Sequence, residues 1–317
     1  MERRRAFAQG KSVQYIAKLN ADIFNQDLYL ISNVEVDIEI TPQTAEFMLV
    51  REAPLKEPAA LSPTATEAQK KEHEDLTTKY QQSVARSQRK YELEIVDMRL
   101  VIKTIDLMDG LNLDIARRLN TEPARYGIRK TMLKSTFISP GRRDFSANLF
   151  TEEVPRRVII GLVSKSKFNG SQANSPFHFD HFNVRDIELS TSGRTYPQYP
   201  YNLQYDQSNY ARAYMDQQEH LGLANTADSN GINYKMYKNG WCLYVFQLTN
   251  AQEESPGFEL VKDGCTSVHI RFSAEVPAEG IQLVAYAEAD GLILIDRNRT
   301  ITRCGSSFIY IFLILQF

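Results

Sequence analysis

The chain has 317 residues, 43% hydrophobic and 24% charged, with a formal net charge of -2. That is ordinary globular composition, long enough for one large or two medium domains, and its near-neutral balance excludes a globally basic nucleic-acid binder. Three cysteines, Cys242, Cys265 and Cys304, are odd in number and widely spaced with no CxxC, which argues against a disulfide framework or zinc knuckle and for a reducing compartment.

The first residues, MERRRAFAQGKSVQYIAKLN, carry Arg3, Arg4, Arg5, Lys11 and Lys18 but no apolar run behind them, so they do not read as a secretory signal. A basic arm of this kind can contact DNA by neutralising phosphates, although the run is short. In Asp27 to Ile40, Val34, Val36, Ile38 and Ile40 alternate with Glu35, Asp37 and Glu39. That period of two predicts a half-buried strand, with Ser32-Asn33 as a turn before it and Phe47 to Val50 as a partner strand. Residues 52–90 differ in character. Pro54, Pro58 and Pro63 come first, then a stretch rich in Glu, Lys, Gln and Arg from Thr66 to Lys90. It reads as a loop insertion, either a solvated helix capped by Thr64 or Thr66 or a disordered segment, and lacks the sustained a/d seam of a coiled coil. Tyr91 to Ile105 predicts a strand with one solvated face. Asp109 to Leu119 predicts a short helix, with Leu111, Ile115 and Leu119 at spacing four and Arg117-Arg118 in its last turn.

From Ala124 onward strands and turns alternate. Ile128, Met132 and Phe137 lie in an extended context closed by Pro140-Gly141. Runs follow at Arg156 to Val163, Val184 to Leu189, Gly240 to Leu248, Ser267 to Phe272, Gly280 to Ala289 and Gly291 to Asp296. In the run from Gly240 both faces are mostly apolar, which predicts a central strand covered on both sides with Trp241 in the core. About eight strands with turn signals between them, and no βαβ alternation, give an all-β chain of the sandwich or jelly-roll type. The C-terminal run Phe308 to Phe317 is apolar but too short to span a membrane as a helix, and reads as a terminal strand or an exposed tail.

His178, Asp180 and His181 form the nearest approach to a metal site, yet a spacing of three puts the two histidines on opposite faces of a strand. A cupin-type site would draw on Glu188 and His269 and needs a different spacing. Packing at a strand start is the plainer reading. The stretch Thr191 to Asn239 holds Asp206, Asp216, Glu219, His220 and Asp228 among Tyr196, Tyr199, Tyr201, Tyr205, Tyr210 and Tyr214. It reads as a long loop excursion suited to protein contacts, with a stacking platform for a sugar or nucleotide as the sharper possibility. Arg142-Arg143 and Arg156-Arg157 read as solvated loop or strand-edge charges. Cys242 and Cys265 read as small core hydrophobes. No nucleophile elbow, P-loop or GxGxxG occurs, so no catalytic residue and no cofactor is expected.

Landmarks in order give a resemblance. The segment Leu19 to Ile40 contains DIFNQ followed by a charged alternating strand. Further on come Asn148-Leu149-Phe150, Phe168-Asn169-Gly170, Asn174-Ser175-Pro176-Phe177, His181-Phe182-Asn183, Asn239-Gly240-Trp241, Ala285-Tyr286-Ala287-Glu288 and Ile295-Asp296-Arg297-Asn298-Arg299. Together these resemble the double jelly-roll major capsid (hexon) proteins of Polinton (Maverick) elements and adinto-like viruses. The resemblance implies a partial first jelly roll over 1–108, a linker helix over 109–125, a second roll over 126–300 and an atypical apolar tail over 301–317. It further implies a structural, non-enzymatic role in homotrimeric, pseudo-hexagonal capsomers of an icosahedral shell encoded by an integrated element. A penton or minor capsid protein would be a partner and the virion capsid the location, otherwise the cytoplasm or nucleus. The landmarks so carried are Phe168, Asn169, Gly170, Pro176, Phe177, Phe182, Asn183, Trp241, Tyr286, Glu288 and Asp296. A lectin- or cupin-type ligand-binding jelly roll, or an inert or host-co-opted capsid remnant, are the alternatives.

Overall fold

The computed structural model describes residues 10–19, 22–50, 55–60, 67–89, 91–249 and 263–304. Nine strands lie among these residues: β1 (Ala124–Ile138), β2 (Asp144–Phe150), β3 (Arg157–Ser164), β4 (Val184–Thr191), β5 (Arg194–Tyr196), β6 (Leu243–Gln247), β7 (Thr266–Phe272), β8 (Ile281–Ile295) and β9 (Ile301–Cys304). One sheet has the order β1-β8-β3-β6, with β9 also on β8, and the other has the order β2-β7-β4-β5. The pairings between these strands are all antiparallel.

That order identifies the fold. Strands 1, 8, 3, 6 in one sheet and 2, 7, 4, 5 in the other are what results when a chain of eight strands rolls up as a double-sheet jelly roll. Alternation does the packing. In β7, Val268, Ile270 and Phe272 point inward, and in β8, Ile281, Leu283, Ala285 and Ala287 do. They meet Val158, Ile160 and Leu162 of β3 and Ile187 and Leu189 of β4 in one core between the sheets. The chain is therefore an all-β jelly-roll sandwich.

Several sequence expectations change. Gly280–Ala289 and Gly291–Asp296 are not two strands but the single strand β8, because β1 pairs with it continuously from Ala124↔Ile295 to Ile138↔Ile281. Gly291 lies opposite Ile128, where a Cβ would stand 3.2 Å from Ile128 Cγ1, so the glycine makes room instead of breaking the strand. β6 is a sheet edge, not a central strand. Its inward residues Cys242, Tyr244 and Phe246 are buried, while Trp241 is 44% exposed. The other face of β6 is covered by helix α5 (Ala211–His220), whose His220 Nδ1 donates to the Val245 carbonyl at 2.7 Å. Strands β2, β5 and β9 went unanticipated. Of the 301–317 segment, Ile301–Cys304 pairs with β8 through a turn at Asp296, whose Oδ1 accepts from Thr300 N at 2.8 Å. Phe308 to Phe317 lies outside the described residues.

The N-terminal third behaves differently. Residues 27–40 and 91–105 form no strand, and Phe47–Val50 is not a strand either: Ala45–Met48 is a helical turn, α1. A strand needs a ladder to satisfy its N–H and C=O groups, and among the described residues no strand pairs with these segments. Asn33 does make the expected turn, at φ 63°. Glu67–Ser87 is a solvated helix, α2, and Asp109–Thr121 is α3, which buries no side chain. Thr64, Thr66 and Lys90 lie outside the described residues. Two aromatic joints, besides a hydrogen bond from Gln172 Nε2 to Tyr91 O at 2.9 Å, tie this region to the sandwich. Tyr126 OH donates to Tyr29 O and accepts from Ile31 N, beside an apolar cluster of Tyr126, Ile128, Ile293 and Ile295 with Ile23, Leu30 and Val34. At the second, the Phe47 ring meets Phe177 edge-on at 5.7 Å, and Phe47 backbone lies 3.0 Å from where a Cβ on Gly170 would stand.

Candidate functional site

A dense cluster of tyrosines and polar groups fills the β5–β6 edge of the sandwich, where the connection from Pro197 to Cys242 folds back on itself. This connection contains α5 and a second short helix, α6 (Tyr234–Lys238), capped by the Asn233 side chain accepting from Met236 N. The tyrosines that the sequence offered as a surface platform are mostly internal. Of these, Tyr201, Tyr205 and Tyr210 are buried, Tyr196 and Tyr214 are half-buried, and only Tyr199, at 73% exposure, faces solvent freely; Tyr237 and Tyr244 join them from within the core. His181, Tyr205, Tyr210 and Tyr234 stack in a ladder, with successive ring centroids 4.0, 5.3 and 4.2 Å apart. Tyr214 stands edge-on to Tyr234 and Tyr237. Stacking of this kind adds to simple area burial and fixes ring orientation.

Hydrogen bonds complete the arrangement. Tyr205 OH shares hydrogen bonds with Tyr244 OH at 2.8 Å and with the Cys242 thiol at 3.3 Å. Tyr201 OH donates to Asp216 at 2.7 Å, and Asp186 Oδ1 accepts from Asn202 N at 2.9 Å. Burial pushes the Cys242 thiol up to about 11 and raises Tyr205, Tyr237 and Tyr244 well above the ordinary phenol range. Burial and the adjacent Asp216 carboxylate do the same to Tyr201. All these groups are therefore neutral near pH 7. A protonated, buried thiol is a poor nucleophile, so the cluster is built for packing, not for attack. Cys265, by contrast, is exposed and not a core residue.

The segment His178–His181 inserts between β3 and the start of β6. Phe179 N donates to Gly240 O, Cys242 N donates to Phe179 O, and Asp180 N donates to Leu162 O, all near 3 Å. Two glycines admit it: a Cβ on Gly161 would stand 2.5 Å from the Phe179 ring, and one on Gly240, at φ +92°, would stand 2.4 Å from the His178 ring. Asp180 is held by Lys167 at 2.8 Å and by His178 at 2.9 Å. His181 instead turns to Tyr205. Glu188 and His269 are opposite one another on β4 and β7 and pair with each other at 3.1 Å. Among the described residues no three histidine, cysteine or carboxylate side chains are grouped to hold a metal.

Arg156 and Arg157 are not solvated edge charges. Arg157 lies directly across from Glu288, reaches it at 2.7 Å, and donates its Nη1 to the His220 carbonyl at 3.1 Å. Tyr286 OH donates to the same carboxylate at 3.3 Å. Arg156 approaches Asp290 at 3.8 Å, and Lys130 pairs with Glu153 at 2.8 Å. Desolvated charges need partners, and Glu288 and Asp290 in the mostly apolar run from Ile281 were the available sign of them. Arg142 and Arg143 are exposed, as expected of loop charges, with Arg143 within 3.2 Å of Glu275. Lys11 and Lys18 are exposed, and Arg3 to Arg5 lie outside the described residues. The remaining landmarks sit at turns and joints. Phe168, Asn169 and Gly170 close the short helix α4 (Lys165–Phe168), Pro176 is buried beside Phe177, and Phe182 and Asn183 take φ of 41° and 54° entering β4.

No known family model matches the chain. It is 28% identical over 292 residues to the uncharacterized protein F54H12.2 of Caenorhabditis elegans, an alignment covering 91% of the chain and 62% of that protein. The chain thus spans less than two thirds of the length of this relative. Likenesses among solved structures include the mavirus major capsid protein, at 11% identity and TM-score 0.31 over 59% of this chain and 42% of that one. The PBCV-1 virus capsid gives 10% identity and TM-score 0.34 over 62% and 55%, and the Sputnik virophage 12% and 0.29 over 58% and 39%. At such scores the jelly-roll assignment rests on the strand order of this chain and not on these likenesses. Among the described residues no helix is long and apolar enough to cross a membrane.

Proposed function

We propose that the protein is a structural, non-enzymatic subunit of a capsid-like shell, in which a jelly roll self-associates into trimeric capsomers. In this reading residues 1–108 belong to a partial first roll, 109–125 link the rolls, and 126–300 form the second. The carrying observation is the pairing of a complete jelly-roll strand order with strand-patterned segments that find no ladder among the described residues. Val96, Val101 and Met108 are 81%, 86% and 83% exposed. Apolar surface on this scale is what a subunit covers on assembly. The ordered sequence landmarks supply the family reading, including an origin in a Polinton-like element, a minor capsid partner and DNA contact through the basic N-terminal run. The internal tyrosine ladder works against the ligand-binding alternative, because a sugar or base would have to displace core rings. Negative-stain electron microscopy of the purified full chain tests the proposal. Three-fold particles with a near-hexagonal outline are expected, and a field of uniform single-roll globules overturns it.

A further inference from the structure

His181 is the one member of the ladder whose charge can change near neutral pH. Its Nδ1 accepts a hydrogen bond from the backbone N–H of Asn183 at 3.0 Å, so that nitrogen carries no proton. The bond closes a turn in which Phe182 and Asn183 both sit at positive φ, 41° and 54°, a conformation costly for side chains other than glycine. Val184 N donates to His181 O at 2.9 Å, and Asn183 O accepts from Ser273 N at 2.8 Å. This turn therefore sets the start of β4 against the end of β7. On its other side the imidazole lies flat on Tyr205, with 4.0 Å between centroids and 8° between planes.

We propose that His181 is an acid-sensitive latch: its neutral imidazole holds the 181–184 turn closed, and protonation opens that turn and loosens the tyrosine ladder stacked on it. A proton on Nδ1 would replace an acceptor with a donor facing the Asn183 N–H. The cation would also lie near Lys238, whose ammonium donates to the Tyr205 carbonyl at 2.7 Å. The charged groups around the ring do not all agree. Asp180 on its own segment and Asp206 on the neighbouring loop favour the cation, but Asp180 is already engaged by Lys167 and His178. Burial and Lys238 oppose it, and they prevail, lowering His181 from the ordinary value of 6.5. The sign follows. The open state takes up the proton more readily than the closed one, so closure is fully favourable above pH 6.5 and weakens as pH falls below it.

The test is amide hydrogen exchange on the full chain between about pH 7.5 and about pH 5, corrected for intrinsic exchange. The opening constant of residues 181–184 is expected to rise below pH 6.5, approaching a tenfold increase per pH unit for uptake of one proton. His181→Phe keeps the ring stack without acceptor or titration, and His181→Asn keeps an acceptor without titration. Both are expected to flatten the dependence. A flat wild-type profile, or the same slope in His181→Phe, overturns the proposal. Should the variants not fold, nitrogen-detected NMR of the wild-type imidazole decides. The proposal requires the Nε2–H tautomer and titration below 6.5, and an Nδ1–H tautomer or titration at or above 6.5 overturns it.

Discussion

Residues 124–304 and residues 10–108 obey the same alternation rule and end differently. In the former, every inward face meets another, and the side chains of Ile138, Leu162, Ile270 and Ile281 are fully buried. In the latter, Val34 to Ile40 and Tyr91 to Ile105 alternate as convincingly, but no strand forms: Val34, Ile38 and Ile40 are only half-buried, and Val36, Ile95, Val96 and Val101 stay exposed. A period of two states which face a strand would bury, not whether a neighbouring strand exists to receive it. On the proposed capsid reading, the first region is written for partners outside itself.

The sharpest way to break this contrast is a pair of substitutions read by denaturant unfolding. Leu162→Ala should cost about 4 kcal/mol, because it leaves a cavity in the closed core. Val101→Ser should change unfolding by less than about 0.5 kcal/mol, yet weaken self-association measured by sedimentation. Equal costs would erase the distinction between the regions. Next in size, Glu288→Ala should cost about 3 kcal/mol, since it strands the Arg157 guanidinium between β8 and α5, and Arg157→Met combined with Glu288→Leu should recover much of that loss. Smallest, Trp241→Ala should cost only about 1 kcal/mol, because the ring is 44% exposed at a sheet edge.

Trp241 also marks the limit of sequence reading here. Its run alternates like a doubly covered strand, and both faces of β6 are indeed covered. One cover, however, is helix α5, drawn from a polar stretch that periodicity read as a loop. The fold class was legible because alternation and turn residues such as Ser192-Gly193 survive in β1, β3, β4, β7 and β8. The sheet order was not, since it depends on pairings such as Ile138↔Ile281 far apart in the chain. Tyrosine density in 196–214 was visible, but whether those rings face water or each other is decided by Tyr244 and Cys242 on a distant strand. Arg157 was misread for the same reason, its partner lying 131 residues away.

Light scattering of the purified chain on a size-exclusion column tests the central claim most directly. The account predicts a mass near three times the 36.3 kDa of one chain, held by the exposed apolar surface of the N-terminal third. A stable monomer of 36.3 kDa at micromolar concentration would contradict it.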